Sequence, residues 1–384
     1  MKLSKVLLCV LVLVFASSLI FPQSLRDAEA AANDATRRLE AALSGNISAG
    51  TGSNTPVPPA QVTQGGSQPR WVSDLHSVYS RDHFIAVVGT GVNRNEAERR
   101  ALAALVAFFG QSLRSDIELA SLYSEVVNRG VVSVSENNRV REQIVTAASM
   151  DKLVGAEIGN IWDNGRGTVY AVAYLEKART ISIYTDMIII NNRNINLLTT
   201  MSSTEKNTFD GYARYKFASL LAGINSDYAN VISLAGGSTS SINMISANTL
   251  TLESQNIIRN ISVGVNARGD QNNRVRDAFA RVLSSEGLRT QGSSTPYILE
   301  ININMSEAVF PNNEIVFCRF TVNANLIERA TGSVLLSFSF SDREGHSTYE
   351  NAQNRAYLLI ERRIAEKYPD EFKGFIASLL PRRL

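Results

Sequence analysis

From residue 297 onward the chain alternates apolar and polar side chains with few breaks. In "YILEININM", Leu299, Ile301, Ile303 and Met305 face one way and Glu300, Asn302 and Asn304 the other. In "IVFCRFTVNANLI", Val316, Cys318, Phe320, Val322 and Ala324 share a face; in "VLLSFSFSD", Leu336, Phe338 and Phe340 do, with serines opposite. A period of two sustained this long predicts three half-buried antiparallel strands, the last two joined by a turn at Thr331-Gly332. Upstream, "ISVGVN" predicts a strand and "RVRDAFARVLSSEGL" a helix closed by Gly287, and a further helix is expected over about Thr348 to Tyr368. Residues 257–384 therefore read β-α-β-β-β-α, with the helices on one side of the sheet.

The first half shows the same alphabet in another order. "FIAVVGTGVNRNEAERRALAALVAFFG" passes from an apolar strand through a glycine turn into a helix, with Asn95 and Glu98 spaced as a capping box. Ala97, Ala101, Ala104, Leu105 and Phe108 form its apolar stripe, and Arg99 and Arg100 lie off it. "LVGAEIGNIWD" and "GTVYAVAYLEK" predict two more strands, joined by a tight hairpin turn at Asn164-Gly165. Val131 to Ser149 fits either strand or helix. Residues 178–256 have helical spacing, as in Phe209, Tyr212, Lys216 and Leu220, with Gly236 and Gly237 as the stop, and read as a connector or arm. Asp27 to Leu43 predicts a short amphipathic helix, followed at 44–68 by a Gly, Ser, Thr, Pro and Asn-rich flexible linker.

The division that results is 1–24 signal peptide, 25–68 short helix and linker, 69–177 first domain, 178–256 helical connector and 257–384 second domain. The fold class is α+β: two small α/β-sandwich domains with antiparallel-rich sheets and helices on one face, joined by the connector. Lys2 and Lys5 before an apolar run from Val6 to about Phe21 predict secretion, with the periphery of the outer membrane or the periplasm as destination. Cutting after residue 24 removes two of the 38 basic side chains and none of the 36 acidic ones, so the mature charge is near zero and there is no basic footprint for nucleic acid. One cysteine remains, Cys318, so burial and not a disulfide within the chain has to supply stability.

Candidate chemistry is sparse. A dinucleotide loop needs a third glycine where this chain has Arg94, and no phosphate-binding lysine and hydroxyl follow, so Gly89 and Gly91 read as a plain strand-to-helix turn. His76, His83 and His346 have no histidine or cysteine at ligand spacing, so no metal or other cofactor is expected. Asp342, Glu344 and His346 in "SDREGH" make the one cluster that could combine an acid and a base, against the plainer reading of a solvated turn that caps a helix. Cys318 alternates onto the apolar face of its strand as an inert thiol. No residue is assigned a catalytic role.

Residues 69–177 resemble the Lpp-twenty lipoprotein family of bacterial envelope proteins. The resemblance lies in "PRWV", the strand "FIAVVGTG", the helix "EAERRALAALVAFF" and the hairpin "IWDNGRGTVYAVAYLEK", and its motif positions are Trp71, Val72, Gly89, Gly91, Ala97, Ala101, Leu102, Trp162 and Tyr170. These positions define a fold and carry no catalysis. The order of elements in 257–384 is similar to the TolB N-terminal-like domain of flagellar assembly protein T. The family's usual lipid-attachment motif is missing. What the resemblance implies is a non-enzymatic assembly factor with envelope proteins as partners, flagellar basal-body components among them, and with contact to peptidoglycan or the outer membrane. The expected mechanism is adhesive, through polar strand faces, with the N-terminal helix on its linker as a tether. The competing reading is a periplasmic binding module for a small ligand or glycan, using Trp162, Tyr170 and Tyr174.

Overall fold

The computed structural model describes residues 30–39, 62–109, 153–290, 294–309 and 315–380. The expected leader, most of the linker and Val131 to Ser149 lie outside the described residues. The chain divides into two compact units, Met1–Leu198 with Ala218–Ala247 and Arg383–Leu384, and Thr199–Phe217 with Asn248–Arg382. Each is built on one four-stranded sheet, so the fold is α+β with two sheet domains.

Unit 1 contains α1 (30–39), β1 (Val62–Gln64), α2 (Arg70–Ser73), β2 (Phe84–Gly91), α3 (Arg94–Phe109), β3 (Glu157–Asp163), β4 (Val169–Glu176) and α4 (Lys177–Thr199). Its sheet order is β1-β3-β4-β2; β1 is parallel to β3 and the other pairs are antiparallel. The central strand β4 buries both faces. Ala171, Ala173 and Leu175 join α3 and α4 in one core, while Val172 and Tyr174 join Trp71, Tyr79, Phe84 and Trp162 in an aromatic core on the other face.

Gly89 and Gly91 belong to β2 itself, which corrects the strand-to-helix turn expected there. A Cβ on Gly89 would lie 2.2 Å from the Ala101 amide nitrogen and 2.5 Å from the Ala97 carbonyl oxygen, and one on Gly91 would lie 2.6 Å from the Ala97 nitrogen. The glycines let α3 lie directly on the strand. Because the strand extends through Gly91, the helix cap falls two residues before the expected one. Asn93 Oδ1 accepts the Glu96 N–H at 2.9 Å and Glu96 Oε2 accepts the Val92 N–H at 3.0 Å. The buried stripe is Ala97, Ala101, Leu105 and Phe109, while Ala104 and Phe108, expected inside, are exposed. The β3–β4 connection is a five-residue loop and not a two-residue turn, because the Asn164 side chain accepts the N–H groups of Arg166 and Thr168 and holds the loop open.

Helix α1 is not a free arm. Ala32, Ala35 and Leu39 are buried, and Arg38 reaches the nearly buried Asp186 of α4 at 2.7 Å. The stretch expected as a connector is helical throughout much of its length: α4, then α5 (Ser203–Lys206), α6 (Phe209–Leu234) and α7 (Ala247–Asn260). Its helices are shared out between the units, and the division passes through α6 between Phe217 and Ala218. Within unit 1, α4 and α6 are registered by a relay of amides. Asn191 donates to Asn225 at 2.8 Å, Asn225 to Asn192 at 3.0 Å, and Asn192 to the Asn243 carbonyl at 2.9 Å.

Unit 2 continues with β5 (Val263–Arg268), α8 (Arg274–Ser285), β6 (Tyr297–Val309), β7 (Val316–Glu328), β8 (Val334–His346) and α9 (Tyr349–Ser378). The sheet order β5-β6-β7-β8 follows the chain; β5 is parallel to β6 and the rest is antiparallel. Leu299, Ile301, Ile303, Cys318, Phe320, Val322 and Ala324 are buried beneath α8 and α9, as their alternation requires. α9 runs well past the expected end at Tyr368, with Pro369 inside it. A helical proline removes one backbone bond and crowds the preceding turn. The helix continues because Phe372, Phe375 and Ile376 prolong the buried stripe of Ile360, Ile364 and Tyr368.

Candidate functional site

Asp342, Glu344 and His346 lie in β8 and not in a turn, because the strand runs to His346. Alternation puts all three on the helix-facing side, in line with Leu336, Phe338 and Phe340. Each has a partner that explains it. Asp342 contacts Arg363 of α9, Glu344 lies 3.8 Å from Arg355 of the same helix, and His346 Nδ1 lies 3.0 Å from the Ser347 hydroxyl. Arg363 also covers the Phe340 ring at 5.8 Å. The two acids thus clamp the far end of the strand to α9.

Cys318 is paired in register with Glu344, but it is fully buried and its Sγ is 3.9 Å from the Tyr349 hydroxyl. Burial raises its pKa, which keeps it a thiol. Burial, and then the Cys318 contact, push Tyr349 up to about 12. Among the described residues no group of three or more His, Cys, Asp or Glu side chains is placed to hold a metal ion.

The motif residues of the first unit are packing residues. Trp71 and Trp162 are buried, Trp162 stacks on Tyr170 at 5.3 Å and gives its Nε1 proton to the Gly65 carbonyl at 3.3 Å, and Val72 packs on the same cluster. Ala97 and Ala101 are fully buried against Gly89 and Gly91, and Leu102 packs at the edge of that core. Tyr174 donates to Glu157 at 2.7 Å, and burial moves its pKa far above the ordinary phenol value. Trp162 and Tyr174 are core residues, and of the three aromatic residues of the ligand reading Tyr170 is the half-buried one. Tyr79 shows how closely this layer is fitted. Its hydroxyl accepts the Asn160 N–H at 3.1 Å, at an irregularity of β3 where a Cβ on Gly159 would lie 2.1 Å from that oxygen. Nothing in the spacing of Tyr79 and Gly159 signals this contact.

The surface that the strands of unit 2 do present is the face opposite α8 and α9. Register sets its residues in rows across three strands: Glu300, Asn325 and Ser337; then Asn302, Asn323 and Ser339; then Asn304, Thr321 and Ser341. Asn302, Asn304 and the three serines are exposed, and Thr321, Asn323 and Asn325 are half-buried. Strand spacing and the two-residue repeat make this array about 10 Å by 13 Å. Amides and hydroxyls supply donors and acceptors together, with one carboxylate among the nine, so the array can hydrogen-bond to a surface without demanding a charged partner. Arg319 and Arg343 face each other across β7 and β8 at one end of it.

No known protein family matches the chain, and no curated protein matches it. Among solved structures, it is similar to a minor lipoprotein of Acinetobacter baumannii, at 12% identity and a TM-score of 0.23 over 30% of this chain and 92% of that one. It is also similar to a secreted protein of Helicobacter pylori, at 14% identity and a TM-score of 0.37 over 73% of this chain and 97% of that one.

Proposed function

We propose that the chain is an exported, non-enzymatic protein of the cell envelope that works by holding other envelope proteins. The observation that carries this reading is the three-strand array of asparagine, serine and threonine on the open face of unit 2. The sheet fixes the spacing of these side chains, so docking onto them needs no ordering of the backbone. The charged leader-like start supports export, and the resemblance of residues 69–177 to envelope lipoproteins supports placement at the outer membrane or in the periplasm. A role beside a flagellar base belongs to the same reading and rests on the combination of that domain with the order of elements in residues 257–384, similar to flagellar assembly protein T. The acid cluster of β8 supports the non-enzymatic side, because Asp342 and Glu344 are engaged by arginines.

The test is cross-linking in intact cells with the tagged full-length chain, followed by mass spectrometry, beside a variant carrying Asn302→Arg and Asn304→Arg. Both positions are exposed, so the fold is expected to survive. The reading expects recurrent links to envelope proteins that fall away in the variant. Identical link sets from both chains, or no links to other proteins, would overturn it.

A further inference from the structure

Among the described residues β8 is the last strand of its sheet and pairs on one side only, with β7. An unpaired strand edge is a template for another strand, and proteins blunt such edges by shortness, proline, bulges or inward charge. At the other end of the sheet, β5 has 6 residues, whereas β8 has 13. The two halves of β8 differ. Beyond Ser341, Asp342 and Glu344 point inward and are held by α9, which closes that half. The register shift of this strand lies at Leu335, and from Leu336 to Ser341 there is no charge, proline or bulge. On the helix side of this open half Leu336 and Phe340 stay half-buried, while Leu299, Ile301, Val322 and Leu326 of the inner strands are at most 1% exposed.

The open half contains Ser337-Phe338-Ser339-Phe340-Ser341, which reads the same in both directions. In an antiparallel pair the second strand runs in reverse, so a palindromic strand that meets its own copy places like residues opposite one another. We propose that β8 pairs with β8 of a second copy about a twofold axis at Ser339, joining two four-stranded sheets into one of eight strands. Phe338 then lies opposite Phe340 of the second copy, and Phe340 opposite Phe338, all on the helix side. Ser337 meets Ser341 and Ser339 meets itself on the polar side. Aromatic cross-strand pairs of this kind stabilise sheets, and a closed twofold contact stops at a dimer. Moving the axis to Asp342 or Arg343 would set like charges face to face. The pairing uses the edge of the strand and not the polar face, so it does not depend on the docking reading above.

The experiment is sedimentation of the purified full-length chain over a range of concentrations, with Ser339→Lys and Ser339→Asp variants and their equimolar mixture. Ser339 is exposed, and circular dichroism checks that each variant is folded. The native chain is expected to dimerise, each variant to do so at least about tenfold more weakly because like charges meet at the axis, and the mixture to recover. Three results would overturn the proposal: a native chain that is monomeric throughout, variants that dimerise like the native chain, or a mixture that does not recover. A purified monomer whose β8 becomes cross-linked to a different protein in cells would assign the edge to a foreign strand and equally overturn self-pairing.

Discussion

Replacing Gly89 with alanine tests whether the close approach of α3 to β2 holds unit 1 together. The added carbon would stand 2.2 Å from the Ala101 nitrogen and 2.6 Å from its Cα, against the 3.4 Å at which ordinary contact begins. Both obstacles are helix backbone, so no rotamer change relieves them, and α3 has to retreat by roughly 1 Å, a gap that forfeits a quarter to a half of each dispersion contact. The side chains that lose contact are Ala97, Ala101, Leu105 and Phe109, all fully buried. The expected cost is about 3 kcal/mol, at the upper end for overpacked cores. The chain carries its own reporter, since Trp71 and Trp162 are its two tryptophans and both belong to unit 1. Urea unfolding followed by tryptophan fluorescence therefore reads this unit. Gly223→Ala is the control: it lies inside α6 with nothing within 4 Å of the new carbon, and is expected to stabilise by about 0.5–1 kcal/mol. A Gly89→Ala loss below about 1 kcal/mol would refute the reasoning, because it would mean that the helix does not rest on the strand.

Two further substitutions probe buried polar groups. Burial raises the Asp186 pKa and Arg38 opposes the shift, so the folded chain holds that proton more tightly than the unfolded one, and ionisation costs stability as pH rises through the folded value. Arg38→Ala should raise that value further, with a deficit near zero below about pH 3 that grows to about 1–2 kcal/mol at neutral pH, a figure discounted because Arg38 is half-exposed; unfolding curves at both pH values check this, and a pH-independent deficit would contradict it. Tyr368 is fully buried in unit 2 with no hydrogen-bond partner for its hydroxyl among the described residues, and burial holds its pKa far above the ordinary value. Tyr368→Phe is therefore expected to be neutral or to stabilise by up to about 1 kcal/mol in calorimetry, and a clear loss would mean that the hydroxyl is engaged.

The strands of unit 2 were legible because period two leaves one choice of face: once Leu299 is inside, Ile301, Ile303, Val322 and Ala324 follow. Helix ends were less legible, because they depend on what the next turn can bury. Pro369 would stop an isolated helix, yet Phe372 and Ile376 carry α9 past it. Asn95 and Asn93 offer the same cap chemistry, and only the extension of β2 through Gly91 decides between them. The stripe of α1 was visible as an amphipathic pattern, but its destination was not, since Asp186 lies 148 residues from Arg38. The partners of the acid cluster were hidden for the same reason. Asp342 and Glu344 look available until Arg363 and Arg355 are brought over them by the last helix. The polar array had its residue types in plain view, while its rows exist only once β6, β7 and β8 are set in register.

The docking of α1 decides how far the N-terminal segment can reach. A polar stretch such as the one between residues 39 and 62, fixed at one end only, could extend about 75 Å. Here both ends are fixed in the same body, Leu39 in the core of unit 1 and Val62 in its sheet. Whatever precedes residue 30 is therefore anchored at α1. Releasing α1 from Asp186 would move the fixed point of the N-terminal segment from Leu39 to Val62.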